Sequence, residues 1–248
     1  MKNLFFAFLT ILLSLNACKK KNPEPTLTSF SGMSQTYQGK EIPLFEFSAQ
    51  PSSKLTAFHA TIANGTTTTI KKNNYQLTYK GSNLFGAVID SYINVTYTWN
   101  TKNQIVSASS SKGTLTYTYD DQDRLSIITA PNYTCTYSYH PNGQVNDALI
   151  AYSTGYTRVG VESVGGKPNP LKGIPLVYLE GDVPIWALFS LSENIIIGLE
   201  YFYLSTQLGP IFTLKERFYY TFDEYDRPAT LKRYDWDNKE IGNYRYHY

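Results

Sequence analysis

The sequence predicts an all-β protein: a curved antiparallel sheet of successive β-hairpins arranged as a meander, open or partly closed, with one short helix. Two observations predict this fold class. The chain has 248 residues, with 22 tyrosines against two cysteines, two methionines and three histidines, and tyrosine suits the half-buried surface of a pleated sheet. A pattern of aromatic residues followed by turn formers also recurs every 20 residues, which fits one hairpin per repeat.

The N-terminus carries a signal for export rather than a folded element. Lys2 precedes an apolar run at 4–13, which is shorter than the about 20 residues of a membrane-spanning helix. The letters L-N-A-C follow at 15–18 and resemble the lipobox of bacterial lipoproteins. The resemblance implies a lipid on Cys18 that attaches the mature protein to a membrane.

The chain therefore divides into three parts. Residues 1–17 form a lipoprotein signal peptide, residues 18–27 form the lipidated cysteine and a charged tether broken by prolines, and residues 28–248 form a single β domain. The expected location is the outer membrane. Acidic residues after the lipidated cysteine are associated with surface export, and Lys19–Lys21 lacks them, which favours the periplasmic face.

The charge distribution excludes nucleic acid as a partner. Removing Lys2 and Lys19–Lys21 leaves 18 basic residues against 20 acidic ones, so the apparent net charge of +2 belongs to the N-terminal region. Binding to nucleic acid by counterion release needs a clustered cationic face. No such cluster is present in the sequence beyond the tether.

Each repeat has a physical reason for its spacing. Two residues at i and i+2, most of them aromatic, share one face of a strand, and a turn former follows at i+3. The residue at i+6 is of a type that tolerates a left-handed backbone, as the last position of a hairpin turn requires. The units are 77–84, 97–105, 117–125, 137–145 and a distant copy at 220–228, with Asn83, Asn103, Asp123, Gly143 and Asp226 at i+6.

Turns recur about every ten residues in this region, which leaves strands of about six residues. Strands of that length are too short for a porin, since an outer-membrane strand needs about 9–11 residues. Asn64-Gly65 adds a hairpin turn before the first repeat.

Residues 155–200 interrupt the repeats. Gly165–Pro170 contains two prolines and is not expected to form a central strand, because proline lacks the ladder donor. Asp182 followed by Pro184 is typical of a helix start, so we expect a short helix near 183–191. Its expected role is to cover an edge or one face of the sheet; the alternative is a lid over a ligand.

The units at Tyr117–Leu125 and Tyr220–Arg227 resemble the YD (RHS-like) repeat, Y-x-Y-D-x-x-G-R-L, although glycine occupies the turn only at Gly143. Together with the lipobox, Lys167–Pro170 and Ser192–Asn194 are similar to segments of an uncharacterised Bacteroidetes-type lipoprotein family. The resemblance covers about residues 75–248. It implies architecture, and it carries no catalytic residue over to this chain.

Three acidic clusters are candidates for a metal or catalytic site, and the repeat favours turn capping for them. A calcium site and a pair of glycosidase carboxylates are the alternatives, but the loops lack the bidentate glutamate of an EF-hand. The clusters are Asp120, Asp121 and Asp123; Asp223, Glu224 and Asp226; and Asp235 with Asp237.

The remaining chemistry-bearing residues predict no metal site and no cofactor. Cys135 lies in a strand-like stretch and is expected in the core. His140 occupies a turn position, and neither His59 nor His247 belongs to a ligand cluster in the sequence. The sequence also lacks a nucleophile elbow and a glycine-rich phosphate loop.

These observations favour a non-enzymatic, membrane-anchored envelope protein that serves as a binding or scaffold module for a glycan, a peptide or a protein. A glycan-active hydrolase and a purely structural protein that assembles through a sheet edge are the alternatives. Most tyrosines are explained by cross-strand pairing. Trp186, Tyr234 and Trp236 lie outside the repeat positions and are therefore the candidate ligand-binding residues.

Overall fold

The turn signals and the alternating side chains produce strands almost throughout the chain. The computed structural model describes residues 30–37, 39–46, 57–63, 70–80, 83–89, 93–173, 185–206 and 209–248. These residues form sixteen β-strands and one α-helix.

The first eight strands are Gly32–Tyr37 (β1), Lys40–Glu46 (β2), Ala57–Ala63 (β3), Ile70–Lys80 (β4), Asn83–Ile89 (β5), Ile93–Trp99 (β6), Ile105–Ser110 (β7) and Gly113–Tyr119 (β8). The remaining elements are Leu125–Thr129 (β9), Tyr133–Tyr139 (β10), Val145–Tyr152 (β11), Gly155–Pro168 (β12), the helix Ile185–Leu191 (α1), Asn194–Ser205 (β13), Gly209–Phe222 (β14), Pro228–Tyr234 (β15) and Glu240–His247 (β16).

All sixteen strands belong to one antiparallel sheet. Consecutive strands pair from β3 to β16, then β16 pairs with β1 and β1 with β2. The sheet curves until its two end strands, β2 and β3, lie beside each other, although no ladder joins these two strands in the described part of the chain. The predicted all-β meander of hairpins is confirmed.

The two faces of the sheet differ as the repeat requires. Tyr97, Tyr117 and Tyr137 are 2–4% exposed because they point into the core, whereas Thr98 and Thr118 beside them are exposed on the opposite face. We call the buried side the inner face and the opposite side the outer face. One hydrophobic cluster occupies the inner face from β1 to β16.

Hydrogen bonds from tyrosine side chains link some of the hairpins to the hairpin before them. The hydroxyl of Tyr119 donates to the backbone carbonyl of Ile105 at 2.8 Å, and the hydroxyl of Tyr139 donates to that of Leu125 at 2.6 Å. Tyr248 repeats this bond with Pro228 at 2.9 Å. A tyrosine at the second aromatic position therefore ties its hairpin to the one before it, whereas Trp99 and Phe222, which hold this position in two of the units, have no hydroxyl for this bond.

The predicted left-handed turn positions are confirmed in four of the five units. Asn103, Asp123, Asp226 and Gly143 have φ of 60°, 62°, 61° and 84°. Asn83 differs because it begins β5 opposite Lys80, so the chain turns before it. The Asn64-Gly65 turn lies outside the described residues, although β3 and β4 on either side of it do pair as a hairpin.

The predicted short helix is confirmed as α1, and it covers the inner face of the sheet. Ala187, Leu188 and Phe189 are at most 1% exposed. The ring of Phe189 lies edge-on to that of Phe218 in β14, with 5.5 Å between ring centroids. Within the described part of the chain, no helix has the length and apolar character needed to cross a membrane.

Gly165–Pro170 forms no central strand, as predicted, although β12 itself continues as far as Pro168. The pairing with β11 ends at Gly160, and Pro168 is paired only with Asn194 in β13. Proline has no backbone N–H, but β11 does not pair with this part of β12, so no hydrogen bond between the two strands is lost at Pro168. Proline is generally found at such unpaired positions of a strand.

Candidate binding site on the outer face of the sheet

The first two acidic clusters cap hairpin turns, as the repeat predicts. In the first turn, Oδ1 of Asp120 accepts hydrogen bonds from the backbone N–H groups of Gln122 at 3.0 Å and Arg124 at 2.8 Å, while Oδ2 accepts from Nε of Arg124 at 2.7 Å. Asp223 makes the same three bonds in its own turn. These two carboxylates are committed to the turn backbone and to arginine.

The third acidic cluster is a further copy of this turn, which the sequence analysis did not recognise. Oδ1 of Asp235 accepts from the backbone N–H groups of Asp237 at 3.0 Å and Lys239 at 2.9 Å, and Asn238 has a φ of 58°. The signal was present in the sequence, because Asn238 follows Asp235 at the same spacing as Asp123 follows Asp120. The missing first aromatic residue obscured it.

Capping of the turn backbone requires a side-chain oxygen at this position and not a negative charge. Asn100, in the preceding repeat, accepts the equivalent bonds from the backbone N–H groups of Lys102 and Gln104. Burial raises the pKa of Asp120, but the hydrogen bonds from Arg124 and the backbone outweigh it and hold the pKa below its ordinary value. A carboxylate with a lowered pKa adds stability above the pKa of the unfolded chain and loses it as the pH falls through the folded value.

We therefore expect Asp120→Asn to lower the free energy of unfolding by about 1 kcal/mol at pH 7, because the charged bond to Arg124 is lost. The difference from the wild type should shrink as the pH falls below about 4. Urea titrations at pH 7 and pH 3 measure it. Asp121→Asn, at an exposed position in the same turn, is the control; an equal cost for both variants at pH 7 contradicts the prediction.

Cys135 lies in the core, as predicted from its strand-like context. It is 0% exposed, and burial raises the pKa of its thiol to about 12 against the smaller opposing effect of its hydrogen bond with Tyr137. A thiol in this state is not a nucleophile at neutral pH. No group of three or more histidine, cysteine, aspartate or glutamate residues is placed to hold a metal ion in the part of the chain described.

The imidazole of His247 contacts a serine and a glutamate on the outer face. Nε2 of His247 lies 2.9 Å from Oγ of Ser34 and 3.2 Å from Oε1 of Glu41. A serine–histidine–acid triad needs the acid at Nδ1, opposite the nitrogen that faces the serine. Both partners here use the same nitrogen, so the cluster joins β1, β2 and β16 and does not form a triad.

The segments Lys167–Pro170 and Ser192–Asn194 meet at the C-terminal end of α1. The side-chain nitrogen of Asn169, which is 2% exposed, donates to the backbone carbonyls of Phe189 and Ser192, while its own N–H donates to that of Glu193. Lys172 also forms an ion pair with Glu193. The segment after β12 therefore fixes α1 to the sheet, which supports a structural role for the helix over that of a lid.

An ion pair lies on the inner face between Glu216 in β14 and Arg233 in β15. Its distances are 2.9 Å from Nε to Oε2 and 2.5 Å from Nη2 to Oε1. Burial lowers the pKa of Arg233, but the hydrogen bond and charge of Glu216 outweigh it and raise that pKa overall. Each charge satisfies the other, so the pair is part of the core.

Of the predicted lipidation and ligand-binding residues, the structure describes the side chains of Tyr234 and Trp236. Cys18 lies outside the described residues, and Trp186 belongs to α1 with a side chain that is not described. Trp236 lies in the turn after β15 and is 65% exposed. Tyr234 lies at the end of β15 with its ring edge-on to that of Tyr219, at 5.3 Å between centroids.

A polar hollow lies next to this tyrosine pair on the outer face. Gly160 in β12 faces Glu200 in β13, and Gly198 in β13 faces Arg217 in β14. Because Gly160 has no side chain, a hollow of about 220 Å³ remains between the flanking residues, while the side chains of Arg217 and Glu162 lie over Gly198. We call this hollow the glycine groove.

Three ion pairs line the glycine groove or its margin. Arg158 pairs with Asp147 at 2.7 Å, Lys215 pairs with Glu200 at 3.1 Å, and Arg217 pairs with Glu162. Three acids and three bases give a net charge of zero. Except for Asp147, these side chains are 44–58% exposed, so the pairs add little stability and remain accessible to a bound molecule.

The glycine groove was not predicted from the sequence. Its signal was a glycine inside each of two strand-like stretches, Arg158–Val161 and Ile196–Leu199, because glycine within a strand often marks a close approach by a ligand or another backbone. The two glycines lie 38 residues apart in the chain, and only the register of β12 on β13 brings them together.

The fold and the groove together define an all-β protein of consecutive hairpins with a polar hollow on its outer face. No family model and no curated protein matches the chain. A porin-like protein from Bacteroides uniformis matches it in structure, with a TM-score of 0.55 at 15% identity over 86% of this chain and 94% of that chain. A porin-like protein from Bacteroides vulgatus gives a TM-score of 0.47 at 9% identity over 88% and 98%. The first match shows a shared fold.

Proposed function

We propose that this chain is a non-enzymatic binding module of the cell envelope, anchored to the outer membrane by a lipid on Cys18, which holds a glycan in the glycine groove. The observation that carries the proposal is the groove itself, a hollow of about 220 Å³ lined by accessible polar groups. The lipobox resemblance at 15–18 supports the anchor. The groove lies on β12, β13 and β14, between the repeat units at 137–145 and 220–228, so the sheet on either side of it is held by hairpins.

The chemistry of the groove favours a glycan over a peptide or a protein surface. A sugar hydroxyl both donates and accepts hydrogen bonds, so it can bond to the carboxylate and to the guanidinium of one ion pair. The pair of exposed Tyr219 and half-buried Tyr234 borders the groove at Arg217, and the apolar face of a sugar ring can pack on an aromatic ring.

We expect Gly160→Val to abolish glycan binding without unfolding the protein. A Cβ at this position would lie 3.8 Å from the nearest heavy atom, the carbonyl oxygen of Glu200, so the side chain fills the groove without a clash. Valine also favours strands. The full chain, purified in detergent, would be applied to an array of oligosaccharides, and urea titration would confirm the fold.

Gly165→Val is the matched control, because Gly165 lies in the same strand and a Cβ there would meet nothing within 4 Å. This variant should bind as the wild type does. Binding of glycan by Gly160→Val at the wild-type level would show that the glycan does not enter the glycine groove. Binding of a peptide or a protein in the groove, in competition with the glycan, would make that molecule the proposed ligand in place of the glycan.

The anchor has a separate test. We expect the wild-type chain, expressed in a bacterium that processes lipoproteins, to incorporate a labelled fatty acid and to fractionate with the outer membrane. Cys18→Ser should prevent both, because serine has no thiol to carry the lipid. Incorporation of label into Cys18→Ser would contradict the assignment of the anchor to this residue.

A further inference from the structure

A second aromatic pair borders the glycine groove on the side away from Tyr219 and Tyr234. The rings of Tyr156 in β12 and Phe202 in β13 lie 6.2 Å apart between centroids, with 37° between their planes. Phe202 faces Arg158, one of the groove residues, across the ladder. Both rings are half-buried, so part of each is available on the surface.

Strand alternation places both aromatic pairs and the groove on the outer face. Tyr156 lies two residues before Arg158, and Phe202 lies two residues after Glu200, in stretches of regular pairing. On β14, Tyr219 lies two residues after Arg217 and is 58% exposed. Side chains two residues apart in a strand share one face, so an aromatic pair, the groove and a second aromatic pair follow one another along the strands.

The register gives the distance between the two pairs. Phe202 faces Thr213 in β14, and Tyr219 lies six residues beyond Thr213 in the same strand. At about 3.4 Å per residue, the two pairs are about 20 Å apart along the strands. A ligand that contacts both of them must be extended, because a unit that fills only the groove reaches neither end.

We propose that the ligand is an extended, uncharged polysaccharide chain that lies along β13 and β14, with one sugar ring on each aromatic pair and its central hydroxyls in the glycine groove. The inference rests on the proposed function and specifies its ligand. Recognition at both ends favours the interior of a long chain over a free monosaccharide or disaccharide.

The charges of the groove select against an acidic polysaccharide. Every basic group there already has an acidic partner within hydrogen-bond distance, and the hydrogen bond and charge of Asp147 raise the pKa of Arg158. A uronic acid carboxylate would have to displace Asp147, Glu162 or Glu200 from its base and then lie beside it. Like charges so close together are unfavourable, whereas a neutral hydroxyl can join each pair without separating it.

The test is a titration of the full chain in detergent with neutral oligosaccharides of increasing length, measured by calorimetry. The expected result is weak binding of short oligomers and an increase in affinity once the oligomer is long enough to reach both aromatic pairs. Phe202→Ala and Tyr219→Ala should each remove that increase, with at least about a fivefold loss for long oligomers. The shortest oligomers that bind can reach only one of the two aromatic pairs. The variant altered at the other pair should therefore bind these oligomers as tightly as the wild type does.

Two further variants keep the test decisive. Phe202→Leu retains an apolar side chain and removes only the flat ring, so it should show the same loss while preserving the fold. Tyr225→Ala, at a position 47% exposed in the turn after β14, is the aromatic control and should bind as the wild type does.

The outcomes separate the two proposals. An affinity independent of oligomer length, or stronger binding of uronic acid polymers, would overturn the proposal of an extended neutral ligand. A loss of binding in Gly160→Val in the same experiments would still support the glycine groove as the binding site. Equal binding by the wild type and Gly160→Val at every length would overturn both.

Discussion

Phe189→Ala is expected to lower the free energy of unfolding by about 3–5 kcal/mol, since it removes a large side chain from a tightly packed site. Phe189 is 0% exposed and its ring meets that of Phe218. The surroundings have little freedom to collapse, because the backbone carbonyl of Phe189 is held by Asn169 and the next strand begins three residues after α1 ends. Urea titration of the full chain measures the change.

Phe222→Ala is the matched control, because this phenylalanine lies at the end of β14 and is 37% exposed. It contacts the ammonium group of Lys167 at 4.8 Å from the ring centroid, an interaction that contributes about 0.5–1 kcal/mol at an exposed site. A cost for Phe189→Ala as small as that of Phe222→Ala would mean that α1 is not part of the core and would revive its interpretation as a lid.

Gly155→Ala is expected to cost about 2–4 kcal/mol, from backbone strain and from a steric clash together. Gly155 begins β12 with a φ of +149°, and a Cβ there would lie 2.0 Å from the carbonyl oxygen of Leu204. That oxygen belongs to the backbone of β13, so a side-chain movement cannot relieve the clash. The strands must separate locally, next to the bond between Thr206 N–H and the carbonyl of Thr154 at 3.0 Å.

Gly165→Ala in the same strand isolates the clash from the general effect of replacing glycine, since a Cβ at Gly165 would meet nothing within 4 Å. This variant should be as stable as the wild type or slightly more stable, because alanine restricts the unfolded chain. If Gly155→Ala and Gly165→Ala unfolded at the same urea concentration, that result would contradict the close approach of β12 to β13 at Gly155.

Much of the fold could be predicted because its determinants are local. Each hairpin is specified within about 20 residues by alternating aromatic residues, a capping side chain and a left-handed turn residue. Asn103 and Asp123 therefore adopt the predicted backbone. The helix was also predictable, because the sequence signals for its start lie immediately before Ile185.

The long-range features were not predictable from one sequence. Nothing local specifies that β1 pairs with β16, because the two strands lie at opposite ends of the described chain and the pairing depends on how far the whole sheet curves. The glycine groove has the same origin. Gly160 and Gly198 border one hollow only through the register of β12 and β13, and a glycine within one strand does not indicate which strand lies opposite it.

The tyrosine hydroxyl bonds between successive repeats have a consequence for how such a sheet can change in size. Because Tyr139 contacts the repeat before it through Leu125, a segment of 20 residues that is duplicated or deleted as a whole carries its own connection and rejoins its neighbours in register. An insertion of any other length breaks that connection and reverses the faces of every strand up to the next turn if the number of residues is odd. Growth of this architecture is therefore stepwise, by whole hairpins, and the circumference of the curved sheet is set by the number of repeats.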